Sequence, residues 1–232
     1  MIVLLFGPPG SGKGTQATLI AARYGIPAIS TGEMFRAECR AGTAIGRVAS
    51  AILANGGLVS DDLANRILAA RIRRADCGSG FLLDGYPRSM AQAVFLERWL
   101  AKRRLPKPVV LHLEVAPEVI IRRLSARRQC PKCSRIYNLI SQQPRVRGLC
   151  DQDGAKLIRR DDDSEAVIRK RLEAYEKTTG QVRAHYSRCG CHHVAGDRPP
   201  EAIFEQIVAI LDGVPRSLPT LAGAQAITVQ RT

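Results

Sequence analysis

The chain has no apolar run approaching the ~18 residues that a membrane-spanning helix requires. Its opening run, Ile2 to Phe6, follows no basic region and breaks at Gly7-Pro8-Pro9, so the sequence predicts neither a signal peptide nor a membrane span, and a cytoplasmic location is expected. An internal repeat is also absent, which excludes solenoid and array architectures. Histidine is scarce, with four residues in 232, and none stands in a pattern suited to acid–base catalysis. Acidic residues are outnumbered, 21 against 35 Lys and Arg, for a net charge of +14. That excess suggests a polyanionic partner or substrate. Most of it is central, since residues 101–177 hold 19 Lys and Arg against 10 Asp and Glu. At 45% hydrophobic, the chain has material for one substantial core with insertions, or for two small domains. Seven cysteines, three of them in one segment, suggest metal before disulfide.

The opening strand pattern runs directly into Gly7-Pro-Pro-Gly-Ser-Gly-Lys13-Gly-Thr15. Glycines at these positions let successive backbone N–H groups turn inward around a phosphate, at the positive end of the helix expected over Thr15–Tyr24. Lys13 is placed to reach the β- and γ-phosphates. Gly14 occupies the position where this motif normally carries a hydroxyl, and Thr15 follows one residue late. A direct hydroxyl ligand to Mg²⁺ is therefore not expected, and water-mediated metal contact takes its place.

Further along, Ile26–Ile29 reads as a second strand, and Ser30-Thr-Gly-Glu33 has capping-box spacing for the next helix. Thr43 is expected to cap another helix, through Leu53, and Ser60 a third; the first two form an inserted flap. Gly80–Asp84 is a strand ending in a carboxylate, suited to the Mg²⁺ shell beside the phosphates, with Arg88 following at the sheet edge. Pro108–Leu113 reads as a buried parallel strand, and a helix from Pro117 to about Arg128 would place Arg123 and Arg127 on one face. Cys130-Pro-Lys-Cys133 and Cys150-Asp-Gln-Asp153 are separated by sixteen residues, the spacing of two metal knuckles, with Asp153 at the fourth position. Tyr137, between them, could stack on a ligand or pack. A long helix is expected from Glu165 to about Tyr186, a last strand at 191–194, a helix to Leu211, and a mobile tail from 213. Cys189, Cys191, His192 and His193 are close in sequence, but neighbours in a strand point to opposite faces, so they are not expected to converge on a metal.

Together these residues resemble the adenylate kinases of the long bacterial type with a zinc-binding lid, over about residues 1–212. The resemblance rests on the Gly7–Thr15 loop, Ser30-Thr31-Gly32 with Arg36, Leu83–Arg88 with Gln92, Arg127-Arg128, Arg160–Asp163 with Arg171, and the cysteine set. It implies an α/β fold, a P-loop five-stranded parallel sheet flanked by helices (1–30, 61–126 and 160–212), with a helical monophosphate flap at 31–60 and a small β lid at 127–159. It further implies an ATP site of Gly10, Ser11, Gly12, Lys13, Gly14, Thr15, Arg127, Ile136, Tyr137 and Arg198. The AMP site would comprise Thr31, Arg36, Gly57, Leu58, Val59, Gly85, Tyr86, Pro87, Arg88, Gln92, Arg160 and Arg171. Lys13, Arg88, Arg123, Arg127, Arg160 and Arg171 would neutralise the transferring phosphoryl group, with Asp84 holding the Mg²⁺ shell, and Cys130, Cys133, Cys150 and Asp153 would hold structural Zn²⁺. Glu33 and Ala195 depart from the family, which has Asp at both. The expected reaction is Mg·ATP with AMP to two ADP, by a monomer needing neither nucleic acid nor membrane. Two rivals remain: a kinase for UMP, CMP or GMP, differing at the base pocket, and a nucleic-acid-binding zinc module suggested by charge and the Cys pair.

Overall fold

A computed structural model describes residues 1–188 and 190–214; Cys189 and nearly all of the expected tail lie outside the described residues. The opening run forms β1 (Ile2–Phe6), buried along its whole length. Its alternate residues enter two different cores. Ile2, Leu4 and Phe6 pack with Leu83, Tyr86 and Leu96, whereas Val3 and Leu5 pack with Leu82, Leu111 and Ile207. A strand covered on both faces needs a continuous apolar run, and this is why β1 shows no polar alternation.

After α1 (Lys13–Tyr24) come β2 (Ala28–Ser30), α2 (Thr31–Arg40), α3 (Ala44–Ala54), α4 (Asp61–Arg71), β3 (Phe81–Asp84), α5 (Met90–Lys102), β4 (Val109–Glu114) and α6 (Pro117–Ser125). The hairpin β5 (Arg127–Gln129) and β6 (Ile136–Asn138) precedes α7 (Glu165–Ser187), β7 (Cys191–Ala195) and α8 (Pro200–Asp212). The five core strands pair in parallel in the order β2-β3-β1-β4-β7, and β5 and β6 form a separate antiparallel pair. Leu5 stands opposite Asp84 on one side and Leu111 on the other. The order reverses at β1, so the crevice beyond its C-terminal end is where an open α/β sheet binds ligands.

Thr43 caps α3 by accepting from Gly46 N at 3.0 Å, and Ser89 caps α5 by accepting from Gln92 N at 3.2 Å. The expected capping box at Ser30 does not form, because Glu33 turns instead to Arg36, whose Nε and Nη2 donate to Oε1 at 2.9 and 2.6 Å. A charge-assisted pair outweighs one neutral cap bond. Ser60 precedes α4 without a side-chain cap. Helix α6 ends at Ser125, short of Arg128, because the next residues are drawn into the ladder that pairs Arg127 with Asn138. Arg123 and Arg127 therefore share no helix face.

Candidate active site

Beyond β1 the loop from Gly7 turns tightly into α1. Gly10 lies at φ +79°, and a Cβ there would stand 2.7 Å from Leu124 Cγ, so the loop can pass against α6 only as glycine. Gly12, at φ +97°, caps α1. Lys13 Nζ folds back over the loop, donating to the carbonyls of Gly7 at 2.7 Å and Pro8 at 2.8 Å. Burial, and then the charges of Arg88, Arg171 and Arg127, pull its pKa down to about 8 against the opposing pull of Asp84. Asp84 is at the end of β3, and its buried Oδ1 has no hydrogen-bond partner among the described residues. An orphaned carboxylate oxygen beside a phosphate cradle fits the water shell of Mg²⁺.

Around this loop the basic side chains are held by acidic ones. Arg127 donates Nε to Asp163 Oδ2 at 2.7 Å. Arg160 grips Asp162 through Nε and Nη2, both at 2.9 Å, and lies 3.7 Å from Glu33. Arg171 Nη1 stands 3.0 Å from Asp162 and 3.3 Å from Asp163. Burial works to raise the Asp162 carboxyl, but Arg171 and Arg160 outweigh it and hold it at about 2. Burial lowers Arg171 to about 10 and also lowers Arg36 and Arg88. These are desolvated, closely spaced cations of the kind a nucleotide's phosphates would stabilise.

On the flap side, Tyr86-Pro87 is a cis bond, and Arg88 Nε donates to Gly85 O at 2.7 Å. Gln92 is buried, with Oε1 accepting from Arg88 N at 2.8 Å and Nε2 donating to Asp61 Oδ1 at 2.7 Å. Thr31 is also buried and donates to Gly85 O at 3.3 Å. Gly57 follows α3, with Leu58 exposed and Val59 buried.

On β6, Ile136 is exposed, but Tyr137 is 1% exposed, its hydroxyl 3.4 Å from Cys150 Sγ. Of the two options for Tyr137, packing is the one its ring takes. Arg198 is exposed on the turn after β7. Arg123 is turned away from the arginine ring, donating Nη1 to Gly196 O at 2.7 Å. Donor atoms of Cys130, Cys133, Cys150 and Asp153 all lie within 4.8 Å of one another, near the ~3.8 Å edge of a tetrahedral zinc–thiolate site. Three thiols and one carboxylate suit Zn²⁺.

Sequence reasoning missed the counter-ions Asp162 and Asp163, and Asp61, which accepts from the Gln92 amide. The Asp run was visible, but which arginines it would hold depends on how α7 packs across the sheet.

Such a ring is suited to aligning and neutralising phosphates rather than to moving protons, and with the loop at Gly7–Thr15 and the parallel sheet the class is that of a P-loop phosphotransferase. An adenylate kinase family profile matches residues 5–191. The adenylate kinase of Anaeromyxobacter sp. (strain Fw109-5) is 46% identical over 205 residues, covering 88% of this chain and 96% of that one. That of Pelobacter propionicus is 45% identical over 214 residues, covering 92% and 97%. The chain belongs to the adenylate kinase family, whose enzymes transfer a phosphoryl group from ATP to AMP and give two ADP.

Proposed function

We propose that this chain carries out that transfer with AMP as its acceptor, and that the arginine ring around Lys13 is the machinery. The observation that carries the reading is the convergence of Lys13, Arg88, Arg127, Arg160 and Arg171, from five separate segments, on the crevice beyond β1. Transfer of a γ-phosphoryl group needs an in-line acceptor and neutralisation of charge spreading over the equatorial oxygens. Lys13 would leave the Gly7 and Pro8 carbonyls for the β- and γ-phosphates. Arg88 and Arg36, with Thr31 and the Gly57–Val59 turn, would hold the monophosphate. Gln92 would read the adenine edge by exchanging its bond to Asp61 for one to the base. Arg127, Arg160 and Arg171 would release Asp162 and Asp163 in part to meet the transferring group, and Arg123 would act on the Gly196 turn beside the ATP base. Asp84 would hold the water shell of a Mg²⁺ ion, which would supply charge neutralisation at the phosphates.

We assign residues 31–60 to a monophosphate flap and 127–159 to a lid over ATP, closing on a core of 1–30, 61–126 and 160–212. Zn²⁺ held by Cys130, Cys133, Cys150 and Asp153 would be a structural clip for the lid. The protein is proposed to act as a cytoplasmic monomer; among the described residues no helix is long and apolar enough to cross a membrane.

The test is a coupled assay with Mg·ATP over AMP, UMP, CMP and GMP. AMP should be turned over with the highest kcat/KM. Equal or better turnover of another monophosphate would overturn the assignment of Gln92 and Thr31 to adenine.

A further inference from the structure

A second cluster of metal-ligating side chains lies outside the lid, on the far side of the sheet from the flap. It is built by register. His112 on β4 stands directly opposite His193 on β7, and Glu114 follows His112 by two, so all three project from the same face at the C-terminal end of two neighbouring strands. His193 Nδ1 is 2.6 Å from Glu114 Oε1, and His112 Nδ1 is 3.4 Å from the same oxygen. One ligand atom from each lies within 4.8 Å of the other two.

The imidazole of His112 is unusual. It is 3% exposed, and its Nδ1 is buried without a hydrogen-bond partner while Nε2 lies 3.2 Å from Tyr175 Oη. In the tautomer that donates Nε2–H to the phenol, the Nδ1 lone pair faces the Glu114 carboxylate 3.4 Å away, where it meets an acceptor and gains nothing. A cation between the two satisfies both. The arrangement matches the outer-shell rule for metal-bound imidazole, in which the second nitrogen is fixed by a polar partner, here Tyr175. A surface cavity of about 210 Å³ opens onto the site, lined also by Glu176 and Arg183, whose charges offset each other and leave Glu114 as the net charge.

We propose that His112, Glu114 and His193 form a second divalent-metal site, with Tyr175 orienting His112. Two imidazoles and one carboxylate select a borderline transition cation of the Zn²⁺ type over Mg²⁺ or Ca²⁺, and the exposed Glu114 and His193 leave a coordination position to water. The site clips the edge strand β7 to β4. It lies next to the turn where Gly196 N donates to Glu114 O at 2.8 Å, close to Pro8 of the phosphate loop.

The experiment is calorimetric titration of the full-length protein with Zn²⁺ in chelator-free buffer at neutral pH. Wild type should bind one equivalent more than His193→Ala, and Glu114→Gln should weaken that equivalent by at least ~10-fold. His192→Ala, whose imidazole projects from the opposite face of β7, should bind as wild type does. Titration with Co²⁺ separates this site from the lid, because nitrogen and oxygen ligation adds no thiolate charge-transfer band. Equal stoichiometry in wild type and His193→Ala, or equal loss in His192→Ala, would overturn the proposal. A thiolate band accompanying the additional equivalent would do the same.

Discussion

Arg127, at the start of β5, donates Nε to Oδ2 of Asp163, a fully buried carboxylate on the short turn before α7, at 2.7 Å. The pair ties the start of the β5–β6 hairpin to the turn before α7. Arg171 shares the same carboxylate from α7, 3.3 Å away. A single acidic residue thus holds two of the cations assigned to phosphate.

Replacing Asp163 with Ala should leave two guanidinium groups facing a buried space with no counter-charge. Breaking a buried pair from one side costs about 3–5 kcal/mol, and a loss near that size is expected in denaturant unfolding. Asp163→Asn should lose less, since it keeps the volume and an acceptor. Wild-type stability in Asp163→Ala would show that the two arginines find other partners.

The depressed Lys13 sets a pH dependence. Its folded pKa of about 8 lies below the ordinary 10.5, so between these values the unfolded chain binds a proton that the folded chain has released. Stability from this group therefore rises with pH across that window and is lowest below about 8, where a charged lysine is held in a poorly solvated place. Thermal unfolding of wild type against Lys13→Met should show the difference narrowing in that direction. Nucleotide binding near pH 9, where phosphates recharge Lys13, should take up protons, which calorimetry in buffers of different ionisation enthalpy measures.

Arg88 is assigned to the monophosphate, and its removal should open no core, because its guanidinium bonds only the Gly85 carbonyl among the described residues. Arg88→Ala should lower kcat by about 10²–10³, as loss of one preorganised charge donor does, with an unchanged melting temperature. Near wild-type turnover would remove Arg88 from the machinery.

Metal removal tests the lid. Protein purified without added metal should retain near-stoichiometric zinc at the cysteine cluster, and chelation should lower its melting temperature, because binding energy at a structural site is folding energy. Cys150→Ser should mimic chelation. A melting curve insensitive to both would leave the cluster without metal.

The phosphate loop, the Cys130–Asp153 set and the strand β1 were legible in the chain because each is local: a glycine pattern, a ligand spacing, an apolar run. The capping box at Ser30 and the long α6 were read from equally local signals and failed. Glu33 was taken by Arg36, and the residues after Ser125 joined a hairpin whose partner strand lies further along the chain. The assignment of Asp162 and Asp163 to their arginines, the fixing of the Gln92 amide by Asp61, and the meeting of His112 with His193 across 81 positions were decided only by tertiary structure. Each depends on which helix or strand packs beside which. Residue types and spacing pointed to phosphate and metal ligation; the parallel ladder and the placement of α7 decided which side chains face one another.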